Sequence, residues 1–211
     1  MKLYSYYRSS SAYRVRIALN HKQIGYDYEA VHLLNDGGEQ HKDAYTQLNP
    51  KAEVPTFVDK NISLSQSVAI FFYLDRAYIE KQLFPKHLPD FEKCLELVEI
   101  INSGTQPLQN LSVLKKLKNE FSISEDQKIE WCRHFIDKGL NAFNEKASND
   151  GPFSMGVDVT AADMFLLPQL YNAKRFELDL TKYEKLRRIY DNCKDLDAFL
   201  KAHPDKQPDT P

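Results

Sequence analysis

Every strand-like stretch in this 211-residue chain falls before residue 66, and from residue 90 onward only helical periodicity remains. Residues 2–6 read as a short strand that hands over to a helix beginning at Ser9-Ser10-Ser11. Residues 26–33 alternate as a strand does, and residues 40–48 are weakly helical until Asn49-Pro50 stops them. Residues 54–59 and 62–64 read as a hairpin across Lys60-Asn61. Residues 66–78 follow as a helix with Ile70, Phe71, Leu74 and Tyr78 on one face. Pro85 and Pro89 mark a linker, after which helical patterns run over 90–120, 124–148, 160–173, 180–192 and 196–202. The prediction is an α/β domain over 1–82, a linker over 83–89 and an all-helical domain over 90–211. The polar, proline-bearing tail 204–211 is expected to be extended.

Composition narrows the function classes. Lys and Arg total 28 against 30 Asp and Glu, so nothing suggests a nucleic-acid footprint. No apolar run reaches the ~20 residues of a membrane span. The chain enters a strand at once, without a signal-peptide pattern, which points to the cytoplasm. Cys94, Cys132 and Cys193 are odd in number, widely spaced and without companion histidines at ligand spacing. They read as buried thiols, neither metal ligands nor a disulfide set. None lies near the serine cluster, so sulfur chemistry there needs a sulfur brought by a ligand.

Four local patterns carry chemistry. Hydroxyls at Ser9-Ser10-Ser11 can cap the first helix, or point a donor at an anion held at its positive end. Val54-Pro55 enters a strand, either through an ordinary trans bond or through a cis bond that exposes the Val54 backbone. Ser65-Gln66-Ser67 precedes an apolar helix, with Ser65 or Ser67 as cap, or with Ser67 and Gln66 beside a bound carboxylate. Thr160 and Asp163 stand at capping-box spacing, with Val159 and Met164 as a hydrophobic staple. Two weaker candidates remain. Arg175 is either a surface charge or a carboxylate grip. Pro107 should kink its helix, leaving Gln106, Asn110 and Ser112 either facing a cleft or merely solvated.

Taken together, Ser9-Ser10-Ser11, Arg14-Val15-Arg16-Ile17-Ala18-Leu19, Asp36-Gly37-Gly38, Asn49-Pro50, Val54-Pro55-Thr56 and Gln66-Ser67 resemble the zeta-class glutathione transferases, the maleylacetoacetate isomerases. The likeness continues through Gln106-Pro107-Leu108-Gln109-Asn110-Leu111-Ser112, Asn172-Ala173-Lys174-Arg175-Phe176 and the terminal Gln207-Pro208-Asp209-Thr210-Pro211. It implies a thioredoxin-like N-terminal domain, a helical glutathione-transferase C-terminal domain, a homodimer and glutathione as cofactor. It also implies a cis Val54-Pro55 bond. Ser9, with Ser10, matches the catalytic serine, and Ser10, Ser11, Ala12, Tyr13 and Arg14 fall in the glutathione-contacting stretch. Gln40, Val54, Gln66, Ser67, Gln106, Asn110, Leu111 and Ser112 match further glutathione contacts. Arg175 matches the arginine that grips the dicarboxylate substrate. Tyr7 is a reserve for Ser9. The family usually carries Cys where this chain has Ser11, and Trp where it has Tyr13.

The activity so implied is glutathione-dependent cis–trans isomerisation of maleylacetoacetate to fumarylacetoacetate. Rivals are isomerisation of maleylpyruvate, a broad conjugating transferase, and a transferase-like interaction protein without catalysis. The last should lack the serine cluster or Gln66-Ser67, and this chain keeps both.

Overall fold

The computed structural model describes all residues, Met1–Pro211, and divides them into two compact units. The first comprises Met1–Leu83 together with Asp195–Pro211; the second is Phe84–Lys194. The sequence reading put 195–211 with the helical domain, whereas these residues pack with the N-terminal ones.

In the first unit a four-stranded sheet has the order β2-β1-β3-β4. The strands are β1 (Lys2–Ser5), β2 (Asp27–Ala30), β3 (Thr56–Asp59) and β4 (Ile62–Ser65). β1 runs parallel to β2 and antiparallel to β3, and β3 and β4 form the expected hairpin. Within residues 1–83 three helices accompany the sheet: α1 (Ser10–His21), the single-turn α2 (Asp43–Thr46) and α3 (Ser67–Ala77). The expected helix over 40–48 is a 3₁₀ turn at Glu39–His41 followed by α2. α1 is not the two-faced helix of a surface element, because its residues from Ala12 to Leu19 are all buried, Arg14 and Arg16 included. The tail is not extended. α9 (Asp197–Ala202) packs on α1, and a 3₁₀ turn at Pro204–Lys206 buries Pro204 and Gln207.

The second unit is helical: α4 (Leu88–Asn102), α5 (Leu111–Phe121), α6 (Glu125–Lys146), α7 (Ala161–Arg175) and α8 (Glu184–Cys193). Pro89 lies in the first turn of α4, where its missing N–H costs no bond, so the helix starts inside the expected linker. The single helix expected over 90–120 is broken into α4, a 3₁₀ turn at Gln106–Gln109 and α5. Pro107 thus opens a new turn instead of kinking a continuous helix. The break is fixed by packing as well. A Cβ on Gly139 of α6 would stand 1.9 Å from Thr105 Oγ1, so only glycine lets α6 approach this turn. α7 is buried almost all round and packs on α4, with Pro168 inside it. No helix is long and apolar enough to cross a membrane.

Candidate active site

Strand register gathers the first unit's candidates at one end of the sheet. Tyr4 pairs with Thr56, and Thr56 pairs with Ser65. The exit of β1, the entry of β3 and the exit of β4 are therefore neighbours. Ser9 follows the first, Val54 precedes the second, and Gln66 and Ser67 follow the third. Ser5 pairs with Ala30 at the end of β2, and the chain beyond it leads to Gln40.

Ser9 is the N-cap of α1, with extended backbone angles. Its Oγ accepts the Ala12 N–H at 3.2 Å, which leaves the hydroxyl proton to donate elsewhere. Ser10 is buried at the first position of α1, and Ser11 is half-buried beside it. Tyr13 is buried, its ring edge-on to that of His203 at 6.1 Å in the same unit. Arg14 is fully buried and donates from Nη1 to Ser67 Oγ at 3.2 Å. That bond ties the second turn of α1 to the first residue of α3. Neither helix has an acidic residue in its first turn, so the partial positive charge at both N-termini is uncompensated.

The expected cap of α3 is corrected. Gln66, not Ser65 or Ser67, occupies the N-cap, without a side-chain capping bond. Gln66 is exposed at φ +75°, a region costly for a residue with a Cβ. Such outliers concentrate at ligand sites. The Val54-Pro55 bond is cis, as the resemblance implied. Val54 joins Tyr6, Val31 and Tyr45 in a small apolar cluster. Gln40 is buried, with Nε2 donating to the Leu33 carbonyl at 3.5 Å and Oε1 without a partner. Gly38, at φ +113°, leaves room for that amide, since a Cβ there would stand 2.4 Å from Gln40 Nε2.

In the second unit Gln106 opens the 3₁₀ turn, and Asn110 caps α5 by accepting the Leu111 N–H at 2.9 Å. Leu111 and Ser112 are the first residues of α5, Ser112 exposed. Gln109 and Gln169 are both buried and share one bond of 3.0 Å, a pair that sequence reading passed over. Arg175 ends α7 as an exposed residue, its Nη1 donating to Asn172 Oδ1 at 3.4 Å and its guanidinium 5.7 Å from the Phe176 ring centre. No cysteine serves either set. All three are buried and free, and burial pushes the Cys94 and Cys132 thiols up to about 11 and that of Cys193 higher.

Residues 1–76 match the family model described as glutathione S-transferase, N-terminal domain. A probable maleylacetoacetate isomerase of Vibrio cholerae is 40% identical over 98% of this chain and 97% of its own. The chain belongs to the zeta-class glutathione transferases. Among solved structures, the holo form of a maleylpyruvate isomerase, a bacterial zeta-class enzyme, superimposes with a TM-score of 0.96 at 36% identity, covering 100% of both chains. A maleylacetoacetate isomerase from Anaeromyxobacter dehalogenans with bound glutathione does so with a TM-score of 0.89 at 43% identity, covering 100% of this chain and 97% of that one. The two units described above are the thioredoxin-like and helical parts expected of this family.

Proposed function

We propose that this zeta-class transferase isomerises maleylacetoacetate to fumarylacetoacetate with glutathione as cofactor, a step in tyrosine and phenylalanine breakdown. The observation that carries the reading is the Ser9 hydroxyl. It is held by the Ala12 N–H, retains its own proton, and sits at a helix N-terminus with no acid in the first turn. The buried, unpartnered Gln40 Oε1 and the uncompensated N-terminus of α3 fit a peptide with amide donors and a carboxylate. When bound, glutathione supplies a thiolate that adds to the cis double bond, leaves a single bond free to rotate, and departs unchanged.

The residues of this chain keep that sulfur anionic. Taking a thiol from a pKa of about 8.5 to about 6.5 requires about 2.7 kcal/mol. A hydrogen bond to a charged group contributes about 1.5–3 kcal/mol, and a helix terminus about 0.3–1 kcal/mol. Ser9 and the α1 terminus therefore suffice without a general base. Ser10, Ser11, Ala12, Tyr13, Arg14, Gln40, Val54, Gln66 and Ser67 are assigned to glutathione binding from the first unit. Gln106, Asn110, Leu111 and Ser112 are assigned to it from the second, and Arg175 to the carboxylate of the substrate.

Ser9→Ala should lower turnover about tenfold to a hundredfold while glutathione binding, read by calorimetry, stays within about twofold. An equal loss of both would reduce Ser9 to a binding residue. Maleylpyruvate is the second reading, favoured by the TM-score of 0.96 to an isomerase of that substrate. Assaying maleylacetone and maleylpyruvate side by side separates the two. The enzyme is further proposed to be a cytoplasmic homodimer, recovered in the soluble cell fraction at twice the chain mass by light scattering.

A further inference from the structure

The turn that presents Ser9 is held by Asp209, the third residue from the end of the chain. Asp209 Oδ2 accepts the Tyr7 backbone N–H at 2.9 Å, and Oδ1 accepts the Tyr28 hydroxyl at 2.6 Å. From the other side, Arg16 Nη2 donates to the Tyr7 carbonyl at 2.8 Å. Arg16 Nη1 reaches the Tyr6 carbonyl at 3.3 Å and Ser5 Oγ at 3.0 Å. Both backbone polar groups of Tyr7 are thus fixed from outside the turn. Tyr7 lies two residues before Ser9, and the Ser9 N–H closes the turn onto the Tyr6 carbonyl at 3.0 Å.

The tail is itself anchored. Arg16 Nε donates to the Ala202 carbonyl at 3.0 Å. Gln207 Nε2 reaches the carbonyls of Lys201 and His203 at 2.9 and 2.8 Å, and Thr210 Oγ1 reaches that of Pro204 at 2.6 Å. Arg16 is fully buried and its bonds go to neutral oxygens; burial lowers its pKa, opposed by Tyr28, Tyr26 and Tyr13 and last by Asp209. A free tail would need none of these bonds.

We propose that Asp209 is a positioning residue for Ser9: the C-terminal segment is a strap that fixes the β1–α1 turn so that the Ser9 hydroxyl meets the sulfur of bound glutathione. This rests on the reading of Ser9 given above. The strap acts on the geometry of one donor, so its loss should appear in the acidity of the bound thiol more than in affinity.

The test uses the full-length chain, with glutathione as probe and the ultraviolet absorbance of its thiolate followed against pH. Asp209→Ala should raise the apparent pKa of the bound thiol by about one unit and lower kcat at pH 7 about threefold, with KM for glutathione within about twofold. Asp209→Asn should restore most of both values, because Oδ1 can accept the Tyr7 N–H while Nδ2 donates to the Tyr28 hydroxyl oxygen. Tyr28→Phe, which removes one of the two anchors, should give a smaller shift in the same direction and covers the case in which Asp209→Ala does not fold. An unshifted titration in Asp209→Ala overturns the strap, even where thermal stability falls. So does an Asn variant as impaired as the Ala one, because charge would then be the cause. Ser9→Ala is measured beside them. If it leaves the titration unmoved, the reading of Ser9 fails first; if it shifts while Asp209→Ala does not, the strap alone fails.

Discussion

Asp163 is the sharpest point at which to test the energetics of the helical unit. It is fully buried, and every bond the structure gives its carboxylate comes from a donor. Oδ1 accepts the Ser154 N–H at 2.7 Å; Oδ2 accepts the Thr160 N–H at 2.8 Å and the Thr160 hydroxyl at 3.2 Å. Burial pushes its pKa up, while these donors pull it down. Asp163→Ala would strand two buried N–H groups at about 1–3 kcal/mol each, and lifting the charge out of the interior offsets part of that. The expected loss is about 3–4 kcal/mol, or about 6–16 °C in Tm for a chain of this size. Asp163→Asn keeps one acceptor and turns an N–H against the other donor, so about 2 kcal/mol is expected. Urea unfolding followed by the fluorescence of Trp131, the one tryptophan, reads both. The Asn variant decides the reasoning. If it equals or exceeds the parent in stability at an unchanged slope, desolvation of the carboxylate outweighs its hydrogen bonds, and the capping account is refuted.

Two more outcomes follow from ionisation. At pH 8 the native protein should not react with a thiol-specific disulfide reagent, because Cys94 and Cys132 sit at about 11 and Cys193 above that; all three should react once urea unfolds the chain. A fast-reacting native thiol would refute it. His21 is held below its ordinary 6.5, first by burial and then by Lys81 and Lys22, with Asp75 opposing. The unfolded chain therefore binds that proton more readily, and stability falls as pH drops below about 6.5 until the folded value is passed. His21→Gln should flatten the urea midpoint between pH 7 and pH 5; an unchanged slope would show that another group controls it.

What the sequence disclosed follows from the range over which its signals act. Strand alternation, the serine cap and the proline at the entry of β3 are local, and each lies where periodicity and turn chemistry put it. The N-cap Asn110 was equally local and could have been found, since an Asn directly before Leu111 in a helical stretch is a start signal. The burial of Arg14 and Arg16 is not announced by their type: both are fully buried, Arg14 Nη1 donating to the Ser67 hydroxyl and Arg16 to backbone carbonyls and the Ser5 hydroxyl. Gln66 was read for its amide, and nothing in its type announces a left-handed backbone.

The tail shows the limit most clearly. Its prolines and polar residues favour extension locally, yet Asp209 meets Tyr7 across 202 positions of sequence. No window of residues contains both partners. The same two oxygens that look like solvated charge in sequence are, in the fold, acceptors for a backbone N–H beside the proposed catalytic serine and for a tyrosine on β2. Because the tail and the β1–α1 turn belong to one compact unit, loss of the last residues should act first on that turn and not on the helices of the other unit.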